Sequence, residues 1–313
     1  TNPTYNPNLV EKHFAQATKT NLPCDATLLN RATEGKYAPG STFKMVTAAA
    51  ALDTGRFTPE SPFYDPGYCI EYGKRVRNAG NPEAPETFGS VNLSTGFEHS
   101  INSVFCNVGK ALGAGTVLKY AERFGFYDVP PIELPENERV ASGLYNRGRL
   151  FLPSNPATQV DPGRLAFGQE RLQVTPLQLA MIAGTIANHG VEMKPHLIER
   201  IVSPGGHTVT HSKPERLATP IKRQTADELT RMMELVVQGG TGTAAQIPGF
   251  QVAGKTGTAE TGRGNINTTW FAAFAPAEAP KIAIAVVVEN QAGGFGGTVA
   301  APIAKQVMEA LLR

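Results

Sequence analysis

The chain has 313 residues, of which 41% are hydrophobic and 18% are charged, so it can bury a sizeable core as one large domain or two small ones. Its formal net charge is only +2, and Lys and Arg form no clusters interleaved with aromatic residues, which argues against a nucleic-acid-binding protein. The longest apolar run, 282–288, is far too short to cross a membrane and is typical of a buried strand.

The chain contains three cysteines, Cys24, Cys69 and Cys106, and no C-x-x-C pair. This spacing argues against a zinc knuckle or a redox motif and leaves the pairing of the cysteines open. The histidines include no H-E-x-x-H pair, so neither a metal nor a cofactor is expected. The chain starts at Thr1 rather than at Met and has no recognisable signal peptide, so we expect it to be a fragment of a longer protein.

The first strong element of the sequence is a helix predicted over 41–54. Pro39 and Gly40 break the chain before this helix, and Gly55 follows its end. The segment from residue 56 to residue 98 is rich in turn-forming residues, and we predict loops and small hairpins there. Apolar periodicity and flanking breakers predict further helices at 103–112, 115–124, 176–188, 225–238 and 299–313.

Two of these helices are predicted to start with a capping box. Thr175 is followed three residues later by Gln178, and Thr225 is followed in the same way by Glu228. A threonine at such a position accepts a hydrogen bond from the backbone of the first helical turn, so we predict that both threonines are N-caps.

The C-terminal part changes to a strand-like pattern. Residues 250–260, 269–275 and 281–289 are predicted strands separated by turns rich in Gly and Pro, which favours antiparallel pairing of consecutive strands. Trp270 is predicted to lie in the core, and the glycine-rich segment 293–298 is predicted to be a turn.

These elements predict an α+β fold, in which an antiparallel sheet is flanked by helices. We expect one domain over 1–313. Within it, a mostly helical subdomain at about 56–165 would be inserted into an α/β part formed by about 1–55 and 166–313.

Ser41 and Lys44 are three residues apart on the first predicted helix, so their side chains project from one face. The helix is apolar around Lys44, and burial lowers the pKa of a lysine because it disfavours the charged form. We therefore predict that neutral Lys44 contacts Ser41 and removes its proton, which makes Ser41 a nucleophile. The backbone N–H of Ser41 is a candidate oxyanion donor. A capping serine and a lysine that reaches the surface would give the same pattern.

A Ser-x-Asn pattern occurs twice after this helix, at 90–92 in an extended segment and at 100–102 before a helical run. We favour Ser100 and Asn102, because a hydroxyl and an amide at a loop-to-helix junction can both project into a cleft. Helix capping is the competing interpretation.

A third pattern, Lys255-Thr256-Gly257, lies on a predicted strand and is followed by Thr258. The lysine places a positive charge beside a glycine that a substrate can approach closely. Thr256 and Thr258 add hydroxyls, and the backbone N–H of Thr258 is the second candidate oxyanion donor. An ordinary strand end would also explain this pattern.

The patterns S-x-x-K, S-x-N and K-T-G occur in the order typical of penicillin-recognising serine enzymes. Longer blocks at 28–44, 168–190, 252–260 and 270–276 are similar to blocks of one family within that group. On these residues the chain resembles the transpeptidase domain of class B penicillin-binding proteins over nearly all of its length, with an actinobacterial character.

The resemblance implies the fold shared by penicillin-binding protein transpeptidase domains and serine β-lactamases. It also implies a D,D-transpeptidase that crosslinks peptidoglycan in septation or elongation. Ser41 would attack the carbonyl between the two terminal D-alanines of a stem peptide and form an acyl-enzyme. An amine of a second stem peptide would then accept the acyl group, whereas β-lactam antibiotics would acylate the same serine and stay bound.

The resemblance also assigns roles to the other motif residues. Lys44 would be the base, Ser100 would relay the proton to the leaving amine, and Asn102 would bind Lys44 and the substrate amide. Lys255 would orient Ser100. The terminal carboxylate of the substrate would be held by the strand residues Lys255, Thr256, Gly257 and Thr258.

Beyond this chain, the resemblance implies an N-terminal pedestal, a membrane anchor and a position on the extracytoplasmic face of the bacterial membrane. It also implies a polytopic glycosyltransferase partner that contacts the segments absent here.

Three other functions use the same chemistry. A serine β-lactamase needs a carboxylate to activate water, and Glu133 with Asn137 offers an E-x-x-x-N pattern, although this stretch also resembles a structural loop of the transpeptidase family. A D,D-carboxypeptidase would use water as the acceptor. A β-lactam sensor domain would be acylated without turnover.

Overall fold

The computed structural model describes residues 1, 2, 4, 6–17, 27–79 and 86–313, so Cys24 lies outside the described residues. The α-helices of the described part are α1 (Val10–Ala17), α2 (Lys44–Asp53), α3 (Leu93–Glu98), α4 (Asn102–Leu112), α5 (Ala114–Arg123), α6 (Pro156–Gln159), α7 (Pro162–Ala166), α8 (Pro176–Ala187), α9 (Arg223–Gln238) and α10 (Ala300–Leu312). Short 3₁₀ turns lie at Gly40–Phe43, Glu136–Glu138 and Thr243–Ala245. None of the described helices is long and apolar enough to span a membrane.

The strands are mostly short. They are β1 (Pro62–Asp65), β2 (Tyr68–Glu71), β3 (Lys74–Arg77), β4 (Gly89–Asn92), β5 (Gly143–Asn146), β6 (Arg149–Leu150), β7 (Leu172–Gln173), β8 (Glu192–Met193), β9 (Arg200–Val202), β10 (Thr208–His211), β11 (Arg216–Ala218), β12 (Ala253–Glu260), β13 (Ile266–Ala275) and β14 (Ile282–Ala292). The three long strands, β12, β13 and β14, form one antiparallel sheet with β13 in the middle. The predicted antiparallel sheet and the α+β class are therefore confirmed.

The central strand β13 separates two hydrophobic cores. Successive side chains of a strand point to opposite faces, so Trp270 and Phe274 enter the main core, whereas Phe271 and Ala273 enter a second core. Helices α2, α8 and α9 contribute to the main core, and α10 covers the other face with residues that include Met308. The sheet is thus flanked by helices on both sides.

Helix α2 is buried along its whole length, from Lys44 to Asp53. It packs against α4, α5 and α9. At the C-terminal end of α2, the side-chain carboxylate of Asp53 accepts three hydrogen bonds. They come from Tyr120 Oη at 2.7 Å, Thr225 Oγ1 at 2.9 Å and the backbone N–H of Lys222 at 2.8 Å. These bonds lower the pKa of Asp53 against the opposing effect of burial, which is the largest single influence on that pKa. The end of the buried helix is therefore fixed by polar contacts.

The contact with Asp53 also corrects a prediction. Helix α9 begins at Arg223, so the Thr225 hydroxyl lies inside the helix and donates to Asp53. The capping box predicted at Thr225 was wrong because a tertiary hydrogen bond takes the hydroxyl. At α8 the prediction holds for Thr175, whose side chain accepts a hydrogen bond from the backbone N–H of Gln178 at 3.1 Å.

The predicted insertion of about 56–165 stays a prediction. Helices α4 and α5, which belong to this segment, pack on α2. The main core also runs without interruption from α4 and α5 to α8 and α9.

A hairpin formed by β2 and β3 is tied to α4 by a disulfide between Cys69 and Cys106. One helical turn further on, Lys110 Nζ lies 2.7 Å from Glu71 Oε1, which adds an ion pair between the same two elements. The hairpin therefore has a covalent and an ionic attachment to the helix that starts at Asn102.

We expect removal of this disulfide to destabilise the fold. The bridged cysteines are 37 residues apart, and closing a loop of this length in the unfolded chain is worth about 4 kcal/mol in the chain-entropy model. Denaturant unfolding of a Cys69→Ala/Cys106→Ala variant should show a loss of that order. A thiol reductant should destabilise the parent protein and leave the variant unchanged; equal responses of both proteins would contradict the prediction.

Candidate active site

Ser41 lies on the 3₁₀ turn Gly40–Phe43, directly before α2, rather than within a single long helix. Side chains three residues apart lie on one side of both a 3₁₀ turn and an α-helix, so the junction of this turn with α2 still directs Ser41 and Lys44 to one side. Gly40 has a φ of +51°, and a Cβ at this position would lie 2.6 Å from the carbonyl oxygen of Thr258. Only glycine allows the turn that carries Ser41 to approach strand β12 this closely.

The segment before the turn is fixed by Trp270. This side chain is fully buried, as predicted, and its Nε1 donates a hydrogen bond to Ala38 O at 3.0 Å. Its ring also packs edge-on against Tyr37. The central strand of the sheet therefore sets the position of the chain just ahead of Ser41.

Lys44 is fully buried, and its amine faces the loop before α4. Nζ donates to Ser100 O at 2.6 Å and to Asn102 Oδ1 at 2.8 Å, and it lies 3.3 Å from Ser100 Oγ. The predicted contact between Lys44 and Ser41 is not formed as a hydrogen bond in the part of the chain that the structure describes. The amine is instead engaged by the two polar residues of the S-x-N motif.

Ser100 has a φ of +59°, in the left-handed region that a serine adopts only at a cost. Neighbouring backbone bonds hold it there, from Ser100 N to Phe97 O at 3.2 Å and from Ile101 N to Gly96 O at 2.8 Å. Asn102 begins α4, and its Nδ2 donates to Arg77 O on β3 at 3.0 Å. The S-x-N pair is thus fixed by both the loop and the hairpin.

Lys255 approaches the same hydroxyl from the sheet. It is fully buried, and its Nζ donates to Ser100 Oγ at 2.9 Å and to Thr256 O at 3.2 Å. Burial lowers the pKa of Lys255 to about 7. Burial also holds the pKa of Lys44 well below its usual value, and the nearby charge of Lys255 lowers it further. Two amines therefore converge on one hydroxyl, in surroundings that favour their neutral forms.

The remaining strand residues lie at the edge of a cleft. Thr256 Oγ1 is 2.6 Å from Thr241 Oγ1, and Thr258 Oγ1 accepts a hydrogen bond from the backbone N–H of Gly296 at 3.2 Å. A Cβ at Gly257 would lie 2.8 Å from Pro39 O, so a larger residue there would push the strand away from the turn that carries Ser41.

The three motifs share one cleft of about 1540 Å³. The motif residues that line it are Ser41, Ser100, Asn102, Thr256, Gly257 and Thr258. Segment 293–298 is a turn before α10, as predicted, but residues 295–298 also line this cleft, which the sequence did not indicate.

The alternative site residues lie elsewhere. Ser90 is on β4, and the side chain of Asn92 caps α3 by accepting a hydrogen bond from Thr95 N at 2.8 Å. Glu133 accepts a hydrogen bond from the backbone N–H of Leu197 at 2.8 Å, and neither Glu133 nor Asn137 is among the described residues that line the cleft. The geometry therefore does not support a deacylating carboxylate at Glu133.

A buried polar network that the sequence did not reveal supports the start of α4. Asp65 accepts hydrogen bonds from Asn78 Nδ2 at 2.8 Å, from Phe88 N at 3.0 Å and from the Ser103 hydroxyl. Asn78 Oδ1 in turn accepts from Ser103 N at 3.1 Å. Asp65 and Asn78 stand in a turn-rich segment, where such residues usually serve local turns.

Comparison with known proteins shows which family the chain belongs to. Residues 1–309 match the family described as the penicillin binding protein transpeptidase domain. The chain belongs to this family, and its fold is that of the penicillin-binding and serine β-lactamase proteins, as the sequence predicted.

The similar relatives include mycobacterial proteins. The chain is 35% identical over 330 residues to the peptidoglycan D,D-transpeptidase PbpA of Mycolicibacterium smegmatis and 36% identical over 326 residues to that of Mycobacterium tuberculosis. Each match covers 99% of this chain and 63% of the relative, so the chain spans less than two thirds of the length of these relatives.

Solved structures give the same assignment. Penicillin-binding protein A from M. tuberculosis, solved as a ceftriaxone acyl-enzyme complex, matches with a TM-score of 0.87 and 33% identity over 100% of this chain and 70% of that chain. The D,D-transpeptidase domain of a peptidoglycan glycosyltransferase from Eggerthella lenta matches with a TM-score of 0.85 and 34% identity, over 99% of this chain and 74% of that chain.

We expect Gly257→Ala to lower the free energy of unfolding by about 1–3 kcal/mol, because the added methyl group would overlap Pro39 O and Thr42 Cγ2. Gly115→Ala is the matched control, since its Cβ would meet only Pro156 Cβ at 3.9 Å. Denaturant unfolding measures both variants. Equal effects would contradict the close approach of strand and turn.

The burial of Lys255 predicts a pH-dependent stability. Between its folded pKa of about 7 and its ordinary value of 10.5, the unfolded chain binds a proton that the folded chain lacks. The ionisation of Lys255 should therefore make the free energy of unfolding rise with pH in this window, by at most about 1.4 kcal/mol per pH unit. Lys255→Met should remove that contribution, whereas Lys119→Met, at an exposed position on α5, should keep it. Identical pH slopes for Lys255→Met and the parent in denaturant titrations would contradict the prediction.

Proposed function

We propose that the chain is a serine D,D-transpeptidase domain that crosslinks peptidoglycan stem peptides through an acyl-enzyme on Ser41. The observation that carries the proposal is the position of Ser100 Oγ, 3.3 Å from Lys44 Nζ and 2.9 Å from Lys255 Nζ, in the cleft that Ser41 also lines. A hydroxyl between two buried amines can relay a proton, which is what an acyl transfer with an amine leaving group requires.

In the proposed acylation, neutral Lys44 takes the proton of Ser41 while Ser41 Oγ forms a bond to the carbonyl carbon between the terminal D-alanines. Catalytic contacts of this kind often tighten only when the substrate is bound. The C–N bond then breaks, and the proton passes from Lys44 through Ser100 to the departing D-alanine amine. In this step the bond between Ser41 Oγ and the carbonyl carbon forms, the peptide C–N bond breaks, and one proton passes from Ser41 to the leaving amine.

In the proposed deacylation, the amine of a second stem peptide attacks the ester carbonyl. The amine loses its proton through the same relay, and Ser41 leaves with a proton restored. The oxyanion of both steps would be held by the backbone N–H groups of Ser41 and Thr258. The support for this pair is the close approach of the Ser41 turn to strand β12, and the first N–H groups of a helical turn lack partners within it.

The other motif residues would bind the substrate. Asn102 holds the Lys44 amine and can also meet the substrate amide, because it lines the cleft. Lys255, Thr256, Gly257 and Thr258 would receive the terminal carboxylate. A charged Lys255 favours this carboxylate, and its pKa of about 7 makes it partly charged near neutral pH.

β-Lactam antibiotics would acylate Ser41, and the resulting acyl group would be released slowly. The support comes from one relative, penicillin-binding protein A from M. tuberculosis, which matches with 32–33% identity and was solved as acyl-enzyme complexes with ceftriaxone, imipenem and penicillin G. We also propose the extracytoplasmic face of the bacterial membrane as the location. The relatives are named for peptidoglycan chemistry, and a disulfide such as Cys69–Cys106 persists in oxidising compartments. A membrane anchor and a polytopic glycosyltransferase partner acting through segments outside this chain complete the proposal, on the basis of the family resemblance.

Labelling with penicillin tests this function. We expect a labelled penicillin to modify Ser41, as mapped by mass spectrometry of the peptides, and to be released slowly. Ser41→Ala should show no labelling. Ser100→Ala should lower the acylation rate about 100-fold or more, since it removes the proton relay.

Ser90→Ala is the matched control for Ser100→Ala, because Ser90 belongs to the other Ser-x-Asn and does not line the cleft among the described residues. Its acylation rate should equal that of the parent. Modification of a residue other than Ser41, or rapid turnover of the penicillin, would overturn the proposed function.

A further inference from the structure

We propose that the β2–β3 hairpin forms a subsite for a carboxylate of the donor stem peptide, on the side of the scissile bond away from the terminal carboxylate. This inference rests on the proposed transpeptidase function and adds a specificity determinant to it. The residues that carry it are Lys74, Arg75 and Arg77 on β3, which all line the cleft.

The first observation is the charge of the cleft wall. Strand β3 has the sequence Lys-Arg-Val-Arg, and its three cationic side chains are exposed to solvent. Within the described residues, neither Lys74 nor Arg75 forms an ion pair. The described carboxylates of the cleft lining are Glu86 and Glu260. The β3 strand therefore gives this wall of the cleft an excess of positive charge, and such an excess attracts substrate groups of negative charge.

The second observation is that Arg75 is held in place. Its guanidinium lies 4.4 Å from the centre of the Tyr68 ring on the paired strand. Stacking of this kind reduces the side-chain entropy that is lost on binding, and a planar guanidinium can bind a carboxylate through two parallel hydrogen bonds. Arg75 is therefore suited to recognise an anionic group.

The third observation is the rigid link between the hairpin and the catalytic motif. Arg77 O accepts a hydrogen bond from Asn102 Nδ2, and the Cys69–Cys106 disulfide joins the neighbouring strand to the same helix. Arg75 is two residues before Arg77 on the same face of β3, so its Cα lies about 7 Å from that of Arg77. This distance corresponds to roughly two residues of an extended peptide.

These observations define the ligand chemistry. The terminal carboxylate of the stem peptide is assigned to the Lys255 side of the cleft. A second, separate cationic wall fits a second carboxylate, carried by a residue that precedes the D-Ala–D-Ala unit. An uncharged carboxamide at that place would not gain the same charge-assisted hydrogen bonds.

The test compares two synthetic stem-peptide thioesters that differ only at the residue before the reacting D-alanine. One carries a free carboxylate there and the other a carboxamide, and the acylation kcat/KM is measured for each. We expect the parent protein to prefer the carboxylate about fivefold to tenfold. Arg75→Gln should bring this ratio close to one by slowing only the carboxylate substrate, and Arg75→Lys should restore part of it. Added salt should also reduce the preference of the parent, because the charges are exposed.

Two controls separate this inference from the proposed function. Arg149→Gln, on the β5–β6 hairpin outside the described cleft lining, should keep the full preference. Acylation by benzylpenicillin should stay within about twofold of the parent in Arg75→Gln, which also shows that the variant is folded. Normal penicillin acylation with an unchanged carboxylate preference in Arg75→Gln would overturn the subsite, as would a parent without any preference. Failure of penicillin to modify Ser41 in the parent would instead overturn the proposed function.

Discussion

The site depends on two lysine amines buried around the hydroxyl of Ser100. Removing an ammonium from water is costly, and the penalty rises when a second cation is near. The chain meets this cost by giving each amine oxygen acceptors and an aromatic face, Phe105 for Lys44 and Phe97 for Lys255. These contacts offset only part of the cost, so burial still favours the neutral amines, which can accept protons near physiological pH.

The rest of the fold holds the two amines and the Ser100 hydroxyl in position. The buried helix α2 carries Lys44 through the main core, β12 carries Lys255 along the sheet edge, and the start of α4 presents Ser100 and Asn102 between them. Because protein interiors are densely packed, each of the three elements is fixed by its neighbours rather than by the site alone. The glycines at 40 and 257 let the turn and the strand meet without a gap.

Much of this arrangement could be predicted from local pattern. The strands of the sheet and the burial of Trp270 follow from period and flanking breakers, and the preference for Ser100 over Ser90 follows from its position at a loop-to-helix junction. The sequence could not indicate contacts that depend on distant residues. The Asp65 network, the bond between Thr225 and Asp53, and the hydrogen bond from Asn102 to Arg77 O all join segments far apart in the chain. In each case tertiary packing decided the outcome.

The bridge between Cys69 and Cys106 makes maturation of the protein depend on an electron acceptor. The two thiols must be oxidised before the β2–β3 hairpin, which forms the cationic wall of the cleft, is covalently attached to α4. A polypeptide synthesised in a reducing cytosol would form this disulfide only after export or after exposure to an oxidant. Preparations from cytosolic and periplasmic expression can therefore differ in covalent state while sharing one amino-acid sequence, and a thiol titration is a sensible first assay of any batch.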